Sequence, residues 1–108
     1  MKWLEVLRSA PVSEAALRAE IVAALRQMGW HAVDTSQDTA ARGGLRGFPD
    51  LIAFKRGGTL LIETKHGRND LNEAQLRFGA AIAQHCDPRT LIYCTARSVD
   101  DVLSALGL

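Results

Sequence analysis

Gly47-Phe48-Pro49-Asp50-Leu51-Ile52-Ala53-Phe54-Lys55-Arg56-Gly57-Gly58-Thr59-Leu60-Leu61-Ile62-Glu63-Thr64-Lys65 places two short apolar runs on either side of a glycine turn. Residues 51 to 54 and 59 to 64 have strand length and strand composition, and Arg56-Gly57-Gly58 between them predicts a hairpin. A three-residue turn there pairs Lys55 with Thr59 and sets Leu51 across from Glu63, with Asp50 beside it at the hairpin mouth. Neighbours in such a ladder stand roughly 5 to 8 Å apart at Cβ, so Asp50 and Glu63 can share an ion. Glu63 and Lys65 are two residues apart and point to one face while the strand continues. Two carboxylates and an ammonium converging in this way have a specific chemical use. The carboxylates hold a hard divalent cation through oxygen, and the lysine stands beside the water which that cation activates. This is equipment for hydrolysing a phosphodiester bond. Taken singly, a Pro-Asp pair is a turn and a Glu-Thr-Lys run is an exposed strand. Their combination at hairpin spacing, flanked by apolar strand residues, favours the chemical reading.

Working outward, the N-terminal side predicts a helix over residues 14 to 28. Ser13 is its N-cap, Glu14 lies in its first turn, Leu17, Ile21, Ala24, Leu25 and Met28 recur at helical spacing, and Gly29 is its stop. A short helix is expected over residues 1 to 9, with Trp3, Leu4 and Leu7 on one side. Residues 30 to 35 read as a strand, and residues 36 to 47 as a long loop rich in Gly, Ala, Thr and Arg. On the C-terminal side, Asp70 or Asn72 caps a second helix, with Glu73 able to reach back. Leu76, Ala80 and Ala83 form its expected inward face, and Asp87-Pro88 ends it. Residues 90 to 94 read as a fourth strand, and Ser98 caps a last helix with Asp100 and Asp101 in its first turn. The strands at 51 to 54 and 61 to 62 read as buried on both faces, which predicts an α/β domain with a mixed sheet covered by helices on each side.

The bulk properties fit one domain spanning residues 1 to 108, with its core at about 14 to 106 and an extension at 1 to 10. The net charge of +1 rules out a uniformly basic nucleic-acid binder, so attraction to nucleic acid has to come from where the arginines lie. Cys86 and Cys94 form no CxxC pair and read as buried thiols in a reducing compartment. No stretch approaches the roughly 20 apolar residues of a membrane span, and nothing resembles a signal peptide. An intracellular, cytoplasmic protein without a membrane partner is expected.

Other residues near the hairpin are candidates with competing readings. Glu20 sits at the edge of the apolar stripe of the first helix. It reads equally as a further metal ligand, direct or through water, and as a solvated flank. Gln75 can bond a phosphate or orient the lysine, although an exposed helical glutamine is the plainer reading. Arg46 and Arg68 flank the hairpin in sequence and favour phosphate contacts. For Arg42, Lys55, Arg56 and Arg77, phosphate contact and solubility stay open. Trp3, Leu4 and Leu7 offer a self-association patch, and a twofold dimer would present two sites to two strands.

Gly47-Phe48-Pro49-Asp50-Leu51-Ile52, then Ile62-Glu63-Thr64-Lys65, then Leu71-Asn72-Glu73-Ala74-Gln75, preceded by a helix carrying Glu20, resembles the VRR-Nuc family of the PD-(D/E)xK nuclease superfamily. The resemblance spans about residues 14 to 106 and implies a restriction-endonuclease-like αβββαβα core with a mixed four-stranded sheet. It implies a Mg²⁺- or Mn²⁺-dependent DNA endonuclease with no organic cofactor. Asp50, Glu63 and the backbone carbonyl of Thr64 would be metal ligands. Lys65 would orient or deprotonate the water, and Glu20 and Gln75 would match the family's acidic residue and glutamine. Stand-alone members of this size look like bacterial or phage enzymes of DNA repair, associated with homodimers that cut branched DNA, including the four-way Holliday junction. The rival readings are a nuclease that nicks or trims duplex or single strands, a DNA-binding module without catalysis, and a small metal-binding protein with no nucleic-acid role.

Overall fold

Ser13 opens the first element. Its side chain accepts a hydrogen bond from the Ala16 amide at 3.0 Å, and the helix α1 runs Glu14–Gln27. Leu17, Ile21 and Leu25, spaced four apart, are fully buried along one stripe. Gly29, at φ +88°, turns the chain out of the helix. Lys55 donates to the Met28 carbonyl at 2.6 Å, where a cation suits the negative end of the helix. A computed structural model of the chain describes residues 12–36 and 46–108. The expected helix at residues 1 to 9, its patch of Trp3, Leu4 and Leu7, and Arg42 lie outside the described residues.

After α1 come β1 (His31–Asp34), β2 (Leu51–Lys55), β3 (Gly58–Thr64), α2 (Glu73–His85), β4 (Leu91–Ala96) and α3 (Val99–Ala105). The sheet order is β1-β2-β3-β4, antiparallel at the first two junctions and parallel between β3 and β4. This is the expected mixed four-stranded sheet in the order αβββαβα. On one face, Ala32, Leu51, Ala53, Leu60, Ile62 and Ala96 join Leu17, Ile21 and Leu25 of α1 and Val102 of α3 in a single core. Helix α2 lies on the other face, over β3 and β4. Phe54 remains 45% exposed, so β2 is not covered on both faces as its apolar run suggested. Among the described residues, no helix is long and apolar enough to cross a membrane. Cys86 and Cys94 are free thiols and only partly buried. Burial pushes the Cys94 thiol up to about 11, and Asp101 adds to the shift.

Two further expectations need correction. The hairpin turn has two residues, not three: Lys55 pairs with Gly58 and Leu51 with Ile62. Arg56 at φ +32° and Gly57 at φ +78° both occupy the left-handed region, as a tight turn matched to the strand twist requires. An arginine in that conformation is what concealed the shorter loop. The one-residue shift brings Asp50, just before Leu51, across from Glu63, just after Ile62.

The second correction concerns α2. Leu76 is 56% exposed, and Ala80 and Ala83 are exposed as well. The inward contacts come from Gln75, Phe78 and Gly79. A stripe of alanines carries little burial energy, so the aromatic and polar contacts decide how the helix turns.

Candidate active site

The buried polar and charged residues among those described are Asp50, Glu63 and Thr64, at 8%, 1% and 0% exposure. All three meet at the mouth of the β2–β3 hairpin. Asp50 accepts through Oδ2 from the Thr64 amide at 3.0 Å and from its hydroxyl at 2.8 Å. Thr35, just past β1, holds the Pro49-Asp50 backbone from the other side. Its amide donates to the Asp50 carbonyl at 2.8 Å, and its hydroxyl lies 2.6 Å from the Pro49 carbonyl and 2.9 Å from that of Asp50. Sequence reasoning missed Thr35, because only the pairing of β1 with β2 brings it to this turn.

Gln75 reaches the site from the first turn of α2. Its Nε2 donates to Glu63 Oε1 at 2.6 Å. Its Oε1 accepts from the Asn72 amide, and its own amide donates to Asn72 Oδ1, each at 2.9 Å. The capping box is therefore built by Gln75, not by Glu73. Glu73 is the first residue of the helix, too close to the cap to reach back, and pairs with Arg77 at 3.4 Å. The readings that stayed open for Gln75 resolve to a contact with a buried carboxylate. Asn72→Ala is expected to remove half of the box at a cost of about 1 kcal/mol. A thermal melt should show a midpoint lower by roughly 4–8 °C. An unchanged midpoint would mean the box adds nothing to the fold.

Gly47 explains how α2 comes so near. It sits at φ +80°, and a Cβ there would lie 2.3 Å from the Ala74 carbonyl oxygen and 2.9 Å from the Gln75 nitrogen. Phe48 follows and meets Phe78 edge-on at 5.6 Å between ring centroids, and Phe78 stands 6.3 Å from Tyr93. Tyr93 was also missed from sequence. It lies on β4 across from Leu61, on the sheet face that carries Glu63. Its phenol is pushed up to about 12, chiefly by burial and then by the negative charges of Glu63, Cys94 and Asp50.

Lys65 follows β3 directly and is half-buried, with its amide bonded to the Ala96 carbonyl at 3.0 Å. Glu20 is half-buried on α1. Among the described residues, no group of three or more His, Cys, Asp and Glu side chains is placed to hold a metal, so this arrangement does not join Glu20 to Asp50 and Glu63 in such a cluster. Arg46 and Arg77 line one shallow groove of about 360 Å³ with Gly47, Asn72, Glu73 and Ala74. Arg68 is exposed in the connector after Lys65. Arg97 fastens that connector through the Gly67 carbonyl at 2.9 Å and Asp70 at 3.2 Å, a role with no sequence signal. Lys55 serves α1, as described above.

The donors at the hairpin mouth are oxygens, as a hard divalent cation requires. Two carboxylates suffice for Mg²⁺, which usually keeps several waters. Burying two carboxylates together costs desolvation and mutual repulsion, and a cation between them offsets both.

A solved structure described as a VRR_NUC domain matches with a TM-score of 0.67 at 19% identity, over 87% of this chain and 94% of that one. Archaeoglobus fulgidus Hjc, a Holliday junction resolvase from an archaeal hyperthermophile, matches with a TM-score of 0.47 at 15% identity, over 74% of this chain and 64% of that one. No curated protein sequence matches the chain. The family model for the archaeal Holliday junction resolvase (Hjc) matches residues 14–77, which include the hairpin, Lys65 and Gln75. With a PD-(D/E)xK-type nuclease fold, and with more than half its length matched by that model, the chain belongs to the archaeal Holliday junction resolvase family.

Proposed function

We propose that this protein is a divalent-cation-dependent endonuclease that cuts branched DNA, four-way junctions above all, as a homodimer in the cytoplasm of a bacterial or phage-infected cell. The observation that carries the chemistry is the burial of Asp50, Glu63 and Thr64 together at one hairpin mouth. Asp50, Glu63 and the backbone carbonyl of Thr64 would hold Mg²⁺ or Mn²⁺, with Glu20 as a further ligand, direct or through water. When bound, the cation polarises the phosphate and lowers the pKa of a water. Lys65 sets a positive charge beside the phosphorus, where negative charge develops. Gln75 fixes the orientation of Glu63. Arg46, Arg68 and Arg42 bind flanking phosphates, which positions DNA without reading its sequence. Family membership supports the choice of branched DNA, and a twofold dimer would set two sites on two strands of a symmetric junction.

The test is cleavage of a labelled panel (four-way junction, flap, plain duplex, single strand) with Mg²⁺, Mn²⁺ or EDTA, beside Lys65→Ala. Paired symmetric nicks in the junction are expected, lost in EDTA and lowered about a hundredfold in Lys65→Ala. Equal cutting of every substrate would remove the junction preference. Binding without cutting would leave a DNA-binding module. A monomer by light scattering, with and without junction DNA, would remove the dimer.

A further inference from the structure

The Tyr93 hydroxyl is buried and has no hydrogen-bond partner among the described residues. The fold accounts for the ring but not for the oxygen. Phe78 packs on the ring from α2. Gly79 leaves room for it: a Cβ there would stand 3.2 Å from the tyrosine Cε1. A phenylalanine would fill the same space without burying an unpartnered donor, which is a net cost to stability.

The level of that tyrosine relative to Glu63 follows from two matched spacings. Gln75 and Gly79 are one helical turn apart on the inward side of α2, about 6 Å along its axis. Glu63 and Leu61, the strand partner of Tyr93, are two residues apart on β3, roughly 6.6 Å along the strand. Gln75 contacts Glu63, and Gly79 contacts the ring of Tyr93. The tyrosine therefore forms the layer directly beneath the Gln75–Glu63 pair, within the electrostatic reach of Glu63 and Asp50. At neutral pH it is a neutral donor below a carboxylate.

We propose that Tyr93 is a positioning residue of the active site, its hydroxyl holding the Glu63 carboxylate from below as Gln75 holds it from the helix, once a divalent cation is bound there. This rests on the cation-dependent reading above. Tyr93 does not touch substrate. It sets the angle at which Glu63 meets the cation, which is how supporting partners of metal ligands act.

Tyr93→Phe removes only the oxygen, so the full-length variant can be compared directly with the wild type and with Glu63→Gln. Three quantities are read: the melting midpoint without metal, Mn²⁺ uptake followed by the free-ion electron paramagnetic resonance signal, and kcat and KM on a four-way junction. For Tyr93→Phe we expect an equal or higher midpoint, Mn²⁺ affinity weakened about tenfold, and a lower kcat at unchanged KM. Wild-type Mn²⁺ affinity and kcat in the variant would overturn the assignment and leave the cation reading intact. A midpoint several degrees lower would also overturn it, by showing that the hydroxyl already serves the fold. Failure of both wild type and Glu63→Gln to take up Mn²⁺ would remove the cation reading, and the role of Tyr93 with it.

Discussion

Glu63→Gln is expected to lower junction cleavage at least about a thousandfold while raising the melting temperature. The two effects have one origin. At 1% exposure Glu63 is the most deeply buried charged side chain among those described, and Asp50 lies across the hairpin from it. The glutamine keeps the length and an oxygen that can still accept from Gln75. It discards a buried negative charge, and removing such a charge typically stabilises a fold by about 1 kcal/mol or more. For a domain of this size that is roughly 4–8 °C in the midpoint. Under the proposed function that charge helps to hold the cation, so activity is expected to fall as stability rises. Metal-free melts and single-turnover cleavage check the two halves separately. Retained cleavage would remove Glu63 from the machinery. A lower midpoint would mean that the charge is favourable to the fold as it stands.

Gly47→Ala should be the most damaging added methyl among the described glycines. Left-handed backbone costs a non-glycine residue about 1–2 kcal/mol. Here the new Cβ would also lie 2.3 Å from the Ala74 oxygen and 2.5 Å from its carbonyl carbon. These are backbone atoms at the start of α2 and cannot swing aside, so overpacking adds about 1–3 kcal/mol. The sum, about 2–5 kcal/mol, is a large share of the stability of a typical small domain. Relief requires α2 to retreat, which draws Gln75 away from Glu63, so cleavage should fall as well. Gly57→Ala is the control: φ is +78°, but a Cβ there meets nothing within 4 Å, so only the backbone cost applies. Equal melting midpoints for the two variants would show that the approach of α2 to Gly47 is not as tight as described.

What the sequence made legible was set locally. Ser13, Ser98 and the apolar stripe of α1 act within a few residues, and each defined its element. Asp50 and Glu63 could be paired because a hairpin converts sequence spacing into spatial distance. The register was still misplaced by one residue, since Arg56 adopts a backbone conformation that its side chain disfavours. Tyr93, Thr35, Gly47 and Arg97 stayed hidden for a different reason. Each gains its role only when a distant segment arrives: β4 beside β3, β1 beside β2, α2 against the chain before Pro49, and the connector after Lys65. The orientation of α2 fell between these cases. Gln75 was noticed as a polar residue, but a polar side chain facing inward contradicts the apolar pattern until its carboxylate partner is known.

The double duty of Gln75 has a dynamic consequence. The amide that closes the first turn of α2 is the same amide that steadies Glu63. Helix ends fray, and the ends of elements open at lower free energy than their centres. Each time this turn unwinds, the carboxylate loses its restraint. Under the proposed function, the fraction of molecules ready to act at any instant is then tied to the helix–coil equilibrium of a few residues. Amide exchange at Leu76 and its neighbours would report on catalytic competence without any substrate present.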